Sequence, residues 1–161
     1  MKKSKVVCII ALCACTGVVQ ARTDALDTAA AIAGVPREVI ESIIKVESGG
    51  HPFSLNTNSE LGSLRFKSMH AAREALALLI SKGYRNIDVG PAQVNIRWHP
   101  DLYKSPEDLL HPSKNIIAAG HVLRKNKEAG AKDLRQVVGH YHSRTPERAN
   151  SYASKVLGKT K

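Results

Sequence analysis

Cysteine is missing from most of this 161-residue sequence. The three cysteines, Cys8, Cys13 and Cys15, all lie near the amino terminus, and residues 16–161 contain none. That long stretch can form neither a disulfide framework nor a cysteine-based metal site. If it folds on its own, its stability has to come from a hydrophobic core.

Aromatic side chains are also scarce, at 4% of the sequence, and no basic run is interleaved with them. Proteins that bind single strands of nucleic acid need a row of aromatic side chains on which the bases stack. We therefore expect no nucleic-acid partner. The excess of basic over acidic residues, 24 against 14, suits another anionic partner such as a cell wall or a membrane surface.

No apolar run reaches the length of about 20 residues that a membrane-spanning helix needs. The longest run, residues 6–19, follows three lysines and ends at Val19-Gln20-Ala21, whose small residues suit a signal peptidase. This pattern predicts a signal peptide over residues 1–21 and a periplasmic or otherwise exported protein. Two alternatives stay open: an uncleaved anchor, and lipidation at Cys15 within a loosely lipobox-like segment.

The rest of the chain, residues 22–161, is predicted to be a single domain. Its length suits one ordinary hydrophobic core, and it contains no internal repeat and no interdomain linker. Removing Lys2, Lys3 and Lys5 with the signal peptide lowers the formal charge from +10 to +7. We expect the domain to act as a monomer.

Apolar residues at three- and four-residue spacing, bounded by Gly, Pro and capping residues, predict a mostly helical domain. The predicted helices cover residues 24–33, 36–47, 70–82, 133–142 and 146–157, with a further helix capped by Ser113 that reaches at least Leu123 and a short turn over 106–110. Ala71, Ala75, Leu78 and Leu79 are predicted to share the buried face of the third helix. Residues 51–63 are predicted to form a loop, residues 64–68 a short strand, and residues 87–96 extended structure around Gly90-Pro91. The fold class expected is α+β, predominantly α-helical.

Glu47 is the first candidate for chemistry, because it ends a helix whose apolar stripe predicts burial. A helix carboxyl end disfavours negative charge, and apolar neighbours disfavour it further. Both effects raise the pKa of a carboxyl group. A general acid for glycosidic cleavage needs a raised pKa.

Several short motifs follow in a fixed order. Glu47-Ser48-Gly49-Gly50-His51-Pro52 resembles "ESGxNP", and Gly90-Pro91-Ala92-Gln93-Val94-Asn95 resembles "GLMQIN". Further along, Asn115–Leu123 resembles "NIxAGAxxL", Gly139–Ser143 resembles "AYN" or "YHS", and Tyr152–Val156 resembles "YVxKV". In this order the motifs resemble the lytic transglycosylases of the SLT-domain, lysozyme-like family, of the type that accompanies secretion systems. The resemblance extends over about Ala25 to Leu157.

The resemblance implies a lysozyme-like fold and an enzyme that acts on peptidoglycan glycan strands without a cofactor or metal. Such an enzyme cleaves the MurNAc–GlcNAc β-1,4 bond and leaves a 1,6-anhydromuramoyl end. Glu47 would be the general acid and base, and Ser48, Gln93, Asn95 and Tyr141 would bind the substrate. Small family members also accompany secretion, conjugation or pilus machines, which makes such a machine an expected partner by analogy.

One departure concerns the second motif, where Pro91-Ala92 stands in place of Leu-Met. We expect the loss of these large side chains to remove part of the wall of the sugar groove. The departure also keeps open a non-catalytic alternative, in which the chain is a wall-binding assembly factor that has retained the fold.

Asp88 supports a different alternative. The segment from Asp88 to Trp98 also resembles "DYGxxQINSRW" of c-type lysozymes, in which the Asp is the second catalytic carboxylate. A hydrolase with two carboxyl groups, Glu47 and Asp88, is therefore the nearest rival to a lyase. Glu60 is a weaker candidate for the second carboxylate, and Trp98 is either a sugar platform or a core residue. The histidines follow no metal-binding motif, so no metal is expected.

Overall fold

Six α-helices and a small antiparallel sheet make up the part of the chain described by the computed structural model, which is residues 20–21 and 24–158. The helices are α1 (residues 24–33), α2 (Arg37–Ser48), α3 (Met69–Ser81), α4 (Pro112–Glu128), α5 (Leu134–His142) and α6 (Pro146–Leu157). Two 3-10 turns, Pro100–Leu102 and Pro106–Leu110, precede α4. The predicted class, α+β and mostly helical, is confirmed.

The sheet has four short strands: β1 (Ser54–Asn56), β2 (Ser63–Arg65), β3 (Asp88–Val89) and β4 (Val94–Asn95). They lie in the order β2-β1-β3-β4, and every neighbouring pair is antiparallel. β2, β3 and β4 fall where strand or extended structure was predicted, whereas β1 lies in the segment predicted to be a loop. Its three residues are too few to show an alternating pattern, and pairing on both sides holds it in place.

The buried face of α3 differs from the predicted one. Ala72, Leu76 and Leu79 are buried, whereas Leu78 is 59% exposed and Ala71 is only partly buried. The helix is rich in alanine and leucine around much of its circumference, so spacing alone allowed more than one apolar face. Packing of the helix against the rest of the core selected the face centred on Leu76.

The capping residues at the starts of α2 and α4 differ from the predicted ones. Pro36 is the N-cap residue of α2 rather than its first helical residue. His111, not Ser113, is the N-cap of α4, and Pro112 takes the first helical position. Proline fits there because the first helical N–H has no partner within the helix.

The predicted signal peptide lies outside the described residues except at its last two positions, 20 and 21, which are helical. Within the described part of the chain, no helix is both long enough and apolar enough to cross a membrane.

The side chain of Asn115, a residue of α4, is fully buried and holds the turn between β3 and β4 through hydrogen bonds. Its Nδ2 donates to the carbonyl oxygens of Val89 at 2.7 Å and Leu109 at 3.1 Å, and its Oδ1 accepts from the backbone N–H of Ala92 at 2.9 Å. Gly90 has φ +79°, and a Cβ added there would lie 2.5 Å from Asn115 Nδ2. Glycine is therefore required both by the backbone conformation and by the close approach of the amide.

Two more helices contact the same turn through their side chains. Ser48, at the end of α2, donates its hydroxyl proton to the carbonyl oxygen of Pro91 at 2.7 Å. Tyr141, near the end of α5, donates its own to the carbonyl oxygen of Ala92 at 2.8 Å. The turn is thus bonded to α2, α4 and α5 at once. Its position sets the position of the strand residues on either side of it.

We expect Gly90→Ala to destabilise the protein by roughly 1–3 kcal/mol more than Gly130→Ala. Gly130 also has positive φ, at +93°, but nothing lies within 4 Å of a Cβ added there. Both variants carry the strain of a left-handed alanine, whereas only the first forces the Asn115 amide to move. Urea unfolding followed by circular dichroism measures the difference, and equal losses would contradict the close-approach argument.

Candidate active site

Glu47 lies where two clefts meet, near the carboxyl end of α2. The larger cleft has a volume of about 750 Å³ and the smaller one about 560 Å³. Glu47, His142 and Arg148 line both. An extended chain of sugars could pass from one cleft to the other with the Glu47 carboxyl group beside its middle.

The Glu47 carboxyl group has its pKa raised from 4.5 to about 7. Burial of the side chain is the largest cause, because desolvation disfavours the charged form. A hydrogen bond from Tyr152 opposes the shift, and the negative charge of Asp88 adds to it. The rise predicted from the sequence is confirmed in direction. A carboxyl group with this pKa can both give and take a proton near neutral pH.

Tyr152, in α6, donates its hydroxyl proton to Glu47 Oε1 at 2.6 Å. The tyrosine is buried, and its ring is stacked on that of His142, with centroids 5.0 Å apart, and on that of Tyr141, 6.3 Å away. Burial and the neighbouring Glu47 raise its own pKa well above the usual value, so it stays a proton donor. Tyr152 was not among the predicted site residues, although it begins the last of the recognised motifs.

Close packing of α5 on α6 brings these rings together. A Cβ added at Gly139 of α5 would lie 2.8 Å from the carbonyl oxygen of Ala149 in α6. The absence of a side chain at Gly139 therefore lets the two helices approach closely. That approach places Tyr141 and His142 beside Tyr152.

Asp88 also lines the larger cleft, on the side formed by the sheet. Its Oδ1 accepts from Asn95 at 2.6 Å, and its Oδ2 accepts from Asn58 at 2.8 Å and from Asn56 at 3.5 Å. Burial raises the pKa of Asp88, whereas the bonds from Asn95 and Asn58 and the charge of His142 lower it. The structure thus places both predicted carboxyl groups in one cleft, with Asp88 held by neutral amides.

Asn95 and Gln93 line the same cleft, but both side chains are already engaged with the protein. The Asn95 amide also donates to Asn86 at 2.8 Å, and its oxygen accepts from two backbone N–H groups. Gln93 donates to the carbonyl oxygens of Gly90 at 2.8 Å and Ser54 at 3.3 Å. Both residues brace the sheet, and their predicted contacts with a glycan stay predictions.

Ser48 and Tyr141 have their hydroxyl groups turned to the buried turn rather than to Glu47. Ser48 is 3% exposed and lines neither cleft, whereas Tyr141 borders the larger one. Their geometry shows bracing of the turn, and a direct contact with the substrate stays a prediction for both.

Pro91 and Ala92 are buried and line neither cleft. The expectation that the loss of larger side chains here removes part of the groove wall stays a prediction.

Trp98 stands at the rim of the larger cleft and is 65% exposed, so it is not a core residue. The Arg97 guanidinium lies 5.1 Å from the centre of its ring.

Glu60, the weaker candidate carboxylate, is exposed and lines neither cleft. Among the described residues, no three histidine or acidic side chains converge as a metal site requires.

Comparison with protein-family models gives one match, to the transglycosylase SLT domain, over residues 24–156. The chain belongs to the transglycosylase SLT domain family. Members of this family are lytic transglycosylases that act on peptidoglycan, so the protein is an enzyme of that class with a lysozyme-like fold. No curated protein and no solved structure matches the chain significantly. Membership of this SLT family of enzymes does not support the alternative of a non-catalytic assembly factor.

For this SLT-domain enzyme we expect Tyr152→Phe to raise the pKa of Glu47 above its value of about 7, because the hydroxyl group stabilises the carboxylate. The carboxyl resonance of Glu47, followed by carbon-13 NMR against pH, measures the shift.

Tyr141→Phe is the matched control, since its hydroxyl bonds to Ala92 and not to Glu47. This variant leaves a carbonyl oxygen unpaired, which costs about 1–3 kcal/mol of stability, without the same rise in the pKa of Glu47. A pKa of Glu47 that is unchanged or lower in Tyr152→Phe would contradict the assigned hydrogen bond.

Proposed function

We propose that Glu47 is the general acid and base with which this peptidoglycan lytic transglycosylase cleaves the MurNAc–GlcNAc β-1,4 bond. The observation that carries the proposal is a half-buried carboxyl group with a pKa of about 7 at the meeting point of two clefts. A protonated carboxyl group in this position can reach the bond between two sugars that occupy the two clefts.

The protonated Glu47 gives its proton to the glycosidic oxygen as the bond from that oxygen to the muramoyl anomeric carbon breaks. The GlcNAc end leaves with a new hydroxyl group, and positive charge develops on the muramoyl ring. The Glu47 carboxylate then takes the proton of the muramoyl 6-hydroxyl, whose oxygen bonds to the anomeric carbon. The product is a 1,6-anhydromuramoyl end, no water is consumed, and Glu47 is protonated again.

In this reaction Tyr152 stabilises the intermediate in which Glu47 is ionised. Its hydroxyl oxygen lies 2.6 Å from Glu47 Oε1, and a hydrogen bond to a carboxylate is stronger than one to a neutral carboxyl group. The bond therefore stabilises the ionised Glu47 that forms after the first proton transfer. It also prevents burial from raising the pKa so far that the group would no longer give up its proton.

A second candidate function is hydrolysis of the same bond, and the placement of Asp88 favours considering it. This carboxyl group lines the larger cleft with Glu47, and three asparagine amides orient it. In a retaining hydrolase such a group bonds to or stabilises the anomeric carbon, and water completes the reaction. The two functions differ in product, since hydrolysis leaves a reducing end.

We also propose that the enzyme is exported to the periplasm and opens the wall locally for a secretion, conjugation or pilus apparatus. The support is the signal-peptide pattern of residues 1–21 and the resemblance of the motifs to secretion-associated family members. Cell fractionation with an antibody tests the location. Recovery of the protein in the cytoplasm at full length would contradict it.

We expect Glu47→Gln to lower cleavage of purified peptidoglycan by roughly 10²–10⁴-fold, the usual contribution of a general acid. Mass analysis of released muropeptides, which also identifies the anhydro end, measures the loss. Glu60→Gln, at an exposed position outside both clefts, is the control and should retain full activity.

The reaction needs Glu47 protonated at its start. Activity should therefore be present below pH 7 and fall as the pH rises through about 7, where Glu47 ionises. Activity retained by Glu47→Gln would show that another group is the acid.

For Asp88→Asn we expect the pKa of Glu47 to fall, because the charge of Asp88 helps to raise it. The high-pH limb of the activity profile then moves to lower pH, while the product of a lyase keeps its anhydro end. If wild-type products carry reducing ends and Asp88→Asn abolishes them, the enzyme is a hydrolase that uses both carboxyl groups.

A further inference from the structure

The walls that border Glu47 differ in chemistry. On the side of the sheet, the larger cleft is lined by the Asp88 carboxyl group, by neutral amides and by an indole, the last two from Asn58, Asn86, Asn95 and Trp98. The opposite side, formed by the segment between α5 and α6 and by α6 itself, carries three cations, Arg144, Arg148 and Lys155, which we call the basic wall. Amides and an aromatic ring suit sugar hydroxyl groups and ring faces. Cations suit negatively charged groups of a ligand instead.

Two of these cations lie on one face of α6. Arg148 and Lys155 are seven residues apart, which is close to two helical turns, so their side chains leave the helix in nearly the same direction. Tyr152 lies between them along the chain and bonds to Glu47 from this side of the helix. Arg148 borders both clefts and Lys155 the smaller one. The face that holds the catalytic carboxyl group is therefore also the face that carries the cations.

The cations of the basic wall are available to a ligand. Arg148 and Lys155 are exposed, and neither has a hydrogen bond or ion pair with another residue in the described part of the chain. Arg144 is held by Asn126 at 3.2 Å and by His140 at 3.1 Å, neither of which is an acid. Glu147 also lines the smaller cleft, and it forms no ion pair with these cations. Fixed positive charge thus faces the cleft without an acidic partner.

We propose that the basic wall binds carboxylates carried on the lactyl arm of the muramoyl residues. This inference rests on the proposed function, because it takes a peptidoglycan strand as the occupant of the clefts. The N-acetylated sugar rings of such a strand are uncharged. Its carboxylates hang from the lactyl arm, either as the free lactyl group of a strand without peptides or as the carboxylates of an attached stem peptide.

The orientation of the strand follows from the two walls. The sugar rings lie against the amides and Trp98, and the lactyl arms point toward α6. Because the arm belongs to the muramoyl residue whose bond is cut, its carboxylates come close to the cations when that bond is beside Glu47. The basic wall therefore selects the register in which a muramoyl residue, and not its neighbour, donates the anomeric carbon.

The test compares three soluble substrates: strands with stem peptides, strands stripped by an amidase so that the lactyl carboxylate is free, and stripped strands whose lactyl carboxylates have been converted to neutral methylamides. The variant is Arg148→Gln/Lys155→Gln. The control is Lys67→Gln/Lys132→Gln, which removes the same charge at exposed positions outside both clefts. Initial rates give kcat/KM for each pair, and circular dichroism melting confirms that each variant folds.

We expect the cleft variant to lose roughly two- to thirtyfold in kcat/KM on carboxylate-bearing strands, as two exposed ion pairs would predict. Cleavage of the methylamide strands should stay at the wild-type level, and the control should match wild type on all three. Arg148→Lys/Lys155→Arg, which keeps both charges, should restore most of the loss, and added salt should reduce the wild-type preference.

A loss confined to stem-bearing strands identifies the peptide carboxylates as the ligand, and a loss confined to stripped strands identifies the lactyl group. The proposal is overturned if the cleft variant loses as much on methylamide strands, or loses nothing on any strand. If the assignment of Glu47 is wrong, Glu47→Gln retains activity. The preference of the wild-type enzyme for carboxylate-bearing over methylamide strands can still be measured in that case.

Discussion

Four consecutive carbonyl groups, those of residues 89–92, govern how this domain is held together. Each accepts a hydrogen bond from a side chain: Val89 from Asn115, Gly90 from Gln93, Pro91 from Ser48 and Ala92 from Tyr141. A buried carbonyl oxygen without a partner costs about 1–3 kcal/mol. The turn can therefore be buried only where α2, α4 and α5 bring their polar side chains to it. The helices and the sheet are located relative to each other by this requirement.

The same requirement locates the two carboxyl groups. Ser48 directly follows Glu47, so the bond from Ser48 to the turn fixes the end of α2 that carries the acid. Asp88 directly precedes Val89, whose carbonyl oxygen Asn115 holds. One buried turn thus sets the positions of both groups without contacting the substrate. For this reason several residues of the recognised motifs brace the turn, and the larger cleft is lined about equally by residues inside and outside those motifs.

The sequence predicted the helices well, because their apolar spacing and capping residues are local signals. The buried face predicted for α3 was wrong, since alanine and leucine surround much of that helix and packing against the core selected a different apolar face. The raised pKa of Glu47 was predicted from the helix end and its apolar neighbours, and burial is the largest cause of the rise. Tyr152 was missed because it lies 105 residues from Glu47 along the chain. Spacing along a chain does not tell which of several tyrosines reaches a carboxyl group, and only the packing of α5 on α6 settles it.

The two carboxyl groups share a cleft but have different surroundings, and that difference assigns their chemistry. Three amide groups donate to Asp88, and such bonds favour its ionised form. Burial raises the pKa of both groups, but Glu47 has a single donor, Tyr152, and its pKa rises to about 7. Because like charges repel, an ionised Asp88 raises the pKa of Glu47, which favours the protonated form that the proposed first step needs. Asp88 can thus assist cleavage without touching the sugar, and the developing positive charge on the muramoyl ring would then lie between a carboxylate and the newly ionised Glu47. A second carboxyl group in the cleft is therefore compatible with a lyase as well as with a hydrolase, so its presence alone does not imply that water is the nucleophile.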